Sequence, residues 1–77
     1  MKGTKGKDQN TVVKVVELIG SSPGSWEEAA ANAVKAAART VRNIKGVDLK
    51  RCTAKVEDGR IVEYRAVVRL AFMVEPE

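Results

Sequence analysis

The sequence predicts an α+β domain of order β-α-β-β, in which one long helix packs across a three-stranded antiparallel sheet. Three observations carry that expectation. A β-branched run, TVVKVVELI, fills residues 11–19. An alanine-rich stretch of helical period follows, opened by the capping pattern Ser25-x-x-Glu28. Two extended segments then flank Asp58-Gly59, a hairpin signal.

The first strand is expected over 11–19. Val13, Val15 and Ile19 share one side with Glu17, and Val12, Val16 and Leu18 share the other with Lys14. A strand with one solvated face alternates cleanly between apolar and polar. This one is apolar on both sides, so both faces are expected to meet protein. Gly20-Ser21-Ser22-Pro23-Gly24 reads as a loop by its turn chemistry.

The helix is expected from Trp26 to about Asn43. Trp26, Ala30, Val34, Ala37, Val41 and Ile44 recur at helical spacing, beside a stripe of small residues, Ala29, Ala33, Ala36 and Thr40. In the capping box the Ser25 oxygen takes an orphan N–H and Glu28 reaches back to the cap. Glu27 and Glu28 suit the positive pole, and Arg39, Arg42 and Lys45 the negative one. Gly46 is then the expected stop.

The second strand is expected over 47–57, with Asp48, Lys50, Arg51, Thr53 and Lys55 scattered through it. The third, 61–74, has the clearest pattern. Val62, Tyr64, Ala66, Val68, Leu70, Phe72 and Val74 line one face, and Glu63, Arg65 and Arg69 stand among apolar residues on the other. Pro76 ends it.

Seventy-seven residues make one small domain, with a single cysteine and no histidine. A disulfide framework is excluded, and one thiol is far short of a structural zinc site. Small scaffolds without such staples commonly gain core by oligomerising. No segment approaches the roughly 20 apolar residues of a membrane span. Residues 1–10 lack the apolar core of a secretory signal, and the lone Cys52 suits a reducing compartment, so the expected location is cytoplasmic. The net charge is +4, half of it from residues 1–10, where Lys2, Lys5 and Lys7 outweigh Asp8. Those ten residues are expected to be a flexible basic tail, followed by one domain over 11–77. The domain itself is close to charge balance, so neither a nucleic acid nor a membrane is expected as partner.

Catalytic chemistry is scarce. There is no histidine for general base work, and Glu27 and Glu28 are engaged in capping. Cys52 has Lys50 and Arg51 nearby but no activating base. The serine loop before the helix lacks the glycine spacing and lysine of a phosphate loop. The expectation is a protein that is not an enzyme.

The passage VVKVVELIGSSPGSWEEAAANAVKAAARTVRNIKG, from Val12 to Gly46, together with VEDGRIVEY, from Val56 to Tyr64, strongly resembles the dodecins. These are small proteins that form hollow shells and are best known for binding flavins. The resemblance covers roughly Thr11 to Val74. It implies the strand order 1-3-2, a homododecamer, and a non-enzymatic role in binding or buffering a small ligand or ion.

The resemblance also implies where flavin would sit, and those positions are substituted. Flavin-binding dodecins carry a tryptophan just after the helix that stacks on the isoalloxazine; Gly46 stands there. They often carry an Arg-Gly pair later in the second strand; Thr53-Ala54 stands there. They carry a glutamine after the Glu-Tyr pair of the third strand; Arg65 stands there. Gly46 removes a stacking surface worth roughly 0.5–1.5 kcal/mol beyond its area. Arg65 has donors and no acceptor. The usual flavin mode is therefore expected to be lost or altered. Flavin storage through a modified pocket and a scaffold without a small ligand are the alternatives. The sequence also resembles the flavin-lacking calcium dodecins. Asp48, Glu17, Glu57 and Glu63 are the strand oxygens available to calcium, with no D-x-D-x-D-G loop among them. Arg65 and Arg69 share a face and are candidates for an anion site, with neutralisation by Glu17 and Glu63 as the structural alternative.

Overall fold

The computed structural model describes residues 12–74. The elements are β1 (Val12–Ser22), α1 (Trp26–Ala37), β2 (Ile44–Glu57) and β3 (Arg60–Val74). They form one antiparallel sheet of order β1-β3-β2, with α1 across one face. The β-α-β-β order and the 1-3-2 arrangement match the sequence expectation. The tail, Thr11 and the stop at Pro76 lie outside the described residues.

β1 runs three residues beyond the expected end. Gly20, Ser21 and Ser22 pair with Ala66, Arg65 and Tyr64 rather than forming a loop. The helix dictates this choice of residue. A Cβ at Gly20 would stand 2.1 Å from the Ala29 carbonyl oxygen and 2.9 Å from the Ala33 Cβ. Glycine on the strand and alanine on the helix thus let the two backbones meet. Ser22 is buried; its hydroxyl donates to Glu28 and accepts from the Gly24 N–H at 2.9 Å. The capping box is therefore half realised. Ser25 Oγ accepts from the Glu28 N–H at 3.0 Å, and the Glu28 carboxylate takes the Ser22 hydroxyl.

α1 ends at Ala37, earlier than its apolar period suggested. The Arg39 and Thr40 N–H groups bond to the Ala36 and Ala37 carbonyls, tightening the last turn to i→i+3 bonds. Asn43 takes φ 63, a left-handed conformation that asparagine tolerates. Val41, which continued the helical stripe, lies in the connection, and Ile44 already pairs with Phe72. Gly46 is consequently not a helix stop but a residue of β2, opposite Ala71. The β2–β3 hairpin turns on Asp58 (φ 52) and Gly59 (φ 73), two successive positive φ values that fit the right-handed twist of the strands.

Among the described residues the buried hydrophobic ones are Ala29, Ala33, Ala66, Val68 and Leu70, with Val16, Leu18, Ala30, Val34, Ala37 and Ile44 packed around them. This is a thin core between α1 and the strands β1 and β3. Among the described residues eleven large apolar side chains remain exposed, including Val13 at 56 %, Val15 at 55 % and Ile19 at 69 %. The two-sided apolar character of β1 is real, but α1 covers only one side. No helix among the described residues is long and apolar enough to cross a membrane.

Candidate functional site

The face of the sheet turned away from α1 follows from strand alternation. Ala66, Val68 and Leu70 of β3 point under the helix, so Arg65, Val67, Arg69 and Ala71 point the other way. Register then sets their neighbours. Ala71 lies between Val15 and Gly46, Arg69 between Glu17 and Asp48, and Arg65 between Ser21 and Thr53. Rungs of apolar and charged residues thus alternate across this rear face.

A hollow of about 300 Å³ opens between the first two of these rungs. Val15, Gly46, Val47, Asp48, Arg69 and Ala71 line it. A Cβ at Gly46 would meet nothing within 4 Å, so the hollow is open on that side. The hollow combines apolar walls with one carboxylate and one guanidinium.

β2 reaches this arrangement through irregularities. Register slips between Ile44 and Gly46 and between Leu49 and Arg51 leave Lys45 and Lys50 as extra residues. Lys50 extends toward the far edge strand, and its Nζ lies 3.8 Å from Glu17 Oε2. Glu17 thus pairs with Lys50. Asp48 and Arg69, although register partners, close no ion pair within 4 Å among the described residues.

Thr53 and Arg65 form a separate rung beyond Val67. Arg65 Nη2 donates to Glu63 Oε1 at 3.1 Å. That hydrogen bond, followed by the guanidinium charge, the Ser21 hydroxyl and Lys55, holds the Glu63 carboxyl below its ordinary value, against a desolvation cost in the opposite direction. Glu63 also lines a second hollow, of about 310 Å³, with Ser21, Ser22, Pro23, Lys55 and Val62. The Thr53 carbonyl accepts the Trp26 indole N–H at 2.7 Å. The four candidate positions therefore divide. Gly46 and Arg69 line one hollow, whereas Thr53 and Arg65 stand opposite each other on another rung. Each arginine faces a carboxylate of this chain. Among the described residues no three histidine, cysteine or acidic groups come together as a metal site, and Cys52 is exposed.

Sequence reasoning had missed Val15, Val47 and Ala71 as hollow-lining residues, and had treated Asp48 only as a source of oxygen for calcium. The signal that finds them is register. Once β3 is central, counting along the pairs places Asp48 beside Arg69, but the two slips in β2 break that count.

The dodecin family model matches residues 12–75. The chain is 35% identical to the calcium dodecin of Mycobacterium tuberculosis over 66 residues, 86% of this chain and 93% of that protein. It is also similar to the crystal structure of that calcium-chelating antigen, at a TM-score of 0.74 and 37% identity over 86% of this chain and 94% of the other. The dodecin of Streptomyces coelicolor superposes with a TM-score of 0.85 and 28% identity, over 88% and 97% of the two chains.

Proposed function

The chain belongs to the dodecin family, and from that premise we propose that it is the subunit of a non-enzymatic homododecameric shell that binds or buffers a small ligand, not flavin held in the usual way. The observation that carries this reading is the rear face of the sheet. Val13, Val15 and Ile19 are more than half exposed there, with Val15 lining a ligand-sized hollow, while the buried core is only a few residues deep. Apolar burial is worth about 25 cal/mol per Å², so covering this face with further copies supplies core that one chain lacks.

The altered flavin mode rests on three positions. Gly46 offers no ring to stack on, Thr53 offers no guanidinium, and Arg65 is already bonded to Glu63. Calcium is the second reading, favoured by the similarity to the calcium dodecin of M. tuberculosis. Calcium takes six to eight oxygen ligands. The described residues of one chain bring no three acidic groups together, so a calcium site here would rely on backbone oxygens, water or carboxylates of further copies.

Native mass spectrometry of protein purified without added ligand tests the whole reading. Twelve copies carrying an extra non-flavin mass support it. Twelve copies with bound flavin restore storage through a modified pocket. Twelve copies with no added mass, unchanged after calcium is supplied, leave a scaffold, and a monomer overturns the shell.

A further inference from the structure

The hollow beside Gly46 has a polar edge that the flavin comparison does not use. Asp48 of β2 and Arg69 of β3 are register partners on its rim. Their charges are opposite, yet they close no ion pair within 4 Å among the described residues. The other carboxylate flanking Arg69, Glu17, is paired with Lys50. A carboxylate and a guanidinium are thus left side by side over a floor containing Val15 and Ala71, next to the open space beside Gly46.

The chemistry of such a rim is restrictive. An ionised carboxylate only accepts, and a guanidinium only donates. A ligand bridging both must present donors to Asp48 and, directly beside them, an acceptor to Arg69. Its remaining surface must be flat and apolar enough to lie on the floor. The volume, about 300 Å³, falls at the small end of small-molecule sites, roughly 300–1,000 Å³.

We infer that the Gly46 hollow binds a planar 2-amino-4-oxo-pyrimidine edge, as found in guanine and pterin rings, through Asp48 and Arg69. The ring N–H and exocyclic amino group donate to the Asp48 carboxylate, and the neighbouring oxo group accepts from Arg69. Adenine presents an acceptor ring nitrogen where this rim needs a donor. It leaves Asp48 facing a lone pair, and an unmatched polar contact of that kind is what gives such sites their discrimination. This inference deepens the ligand-binding reading above and rests on it.

The test is calorimetric titration of the ligand-free protein with guanosine, pterin, adenosine and xanthosine, with the mass of the same sample measured by native mass spectrometry. Guanosine and pterin are expected to bind at least tenfold more tightly than adenosine. Asp48→Asn should cost guanosine at least tenfold and move preference toward xanthosine, whose 2-oxo group can accept from the new amide. Arg69→Gln should weaken guanosine and pterin alike. Asp58→Asn, on the hairpin turn, should change nothing. A change in preference is a readout that loss of fold alone would not give. An assembled protein that binds none of the four, or shows no preference over adenosine, or is unaffected by Asp48→Asn, overturns the ligand class and leaves the shell standing. A monomer that binds none overturns both, and a monomer that binds guanosine selectively overturns only the shell.

Discussion

The indole N–H of Trp26 donates to the carbonyl of Thr53 at 2.7 Å, so the first turn of the helix is fastened to the middle of an edge strand. The same ring meets Tyr64 edge to face, with centroids 4.9 Å apart at 86°. α1 packs chiefly on β1 and β3, which makes this bond a principal link to β2. Trp26→Phe retains an aromatic ring and removes the donor. It is expected to cost about 1 kcal/mol, read as a lower midpoint in urea.

Gly20→Ala tests the close approach of strand and helix. Its Cβ would stand 2.1 Å from a backbone oxygen, which has no flexible side chain to yield. The expected loss is about 1–3 kcal/mol, the usual range for overpacking, measured by denaturant unfolding. Gly46→Ala, made where nothing lies within 4 Å, is the control and should leave stability near the parent value.

Ile19→Lys tests the rear face. Substitution at a residue 69 % exposed ordinarily changes stability by within about 0.5 kcal/mol. If copies cover this face, the change should instead shift the protein from twelve copies to smaller species in light scattering. A parent protein that is monomeric at micromolar concentration contradicts the assembly, and a stable parent trimer supports association but not the closed shell.

Flavin titration tests the substituted positions together. Riboflavin or FMN fluorescence should be quenched weakly or not at all by the parent protein. Gly46→Trp combined with Arg65→Gln should strengthen the quenching, since the first restores a stacking ring and the second an acceptor beside a donor. Tight flavin binding by the parent would contradict the altered pocket.

Acid stability should report the Glu63–Arg65 pair. The hydrogen bond from Arg65 lowers the folded-state value of the Glu63 carboxyl below the ordinary 4.5. The resulting stabilisation is therefore present above 4.5 and lost as the pH falls through the lower folded value. Glu63→Gln should flatten the acid limb of the melting temperature against pH below about 4.5 and shift the neutral value little, because the pair is solvent-screened.

Much of this was legible in the sequence because local signals and tertiary contacts agreed. The Ser25 cap, the Asp58-Gly59 turn and the alternation of β3 each depend on residues near one another in the chain. The boundaries failed where a distant contact decided them. Gly20 to Ser22 has loop chemistry but pairs with β3, since Gly20 must admit the helix backbone. The period of α1 continues through Val41, yet the chain turns before it so that Ile44 can meet Phe72. The Asp48–Arg69 rim was hidden for a related reason. It depends on two bulges in a strand whose charged residues obscure any period.

The helix and the hollow lie on opposite sides of one sheet, and this separates two kinds of inherited change. Substitutions at Ala29, Ala33, Ala66, Val68 or Leu70 are answerable to folding, because those side chains form the buried layer. Substitutions at Gly46, Asp48 or Arg69 alter the opposite surface, where this chain supplies open space and rim charges. A lineage built on such a plan can alter what its rear face meets, ligand or neighbouring copy, by change at a few codons while the buried layer stays under undiminished selection.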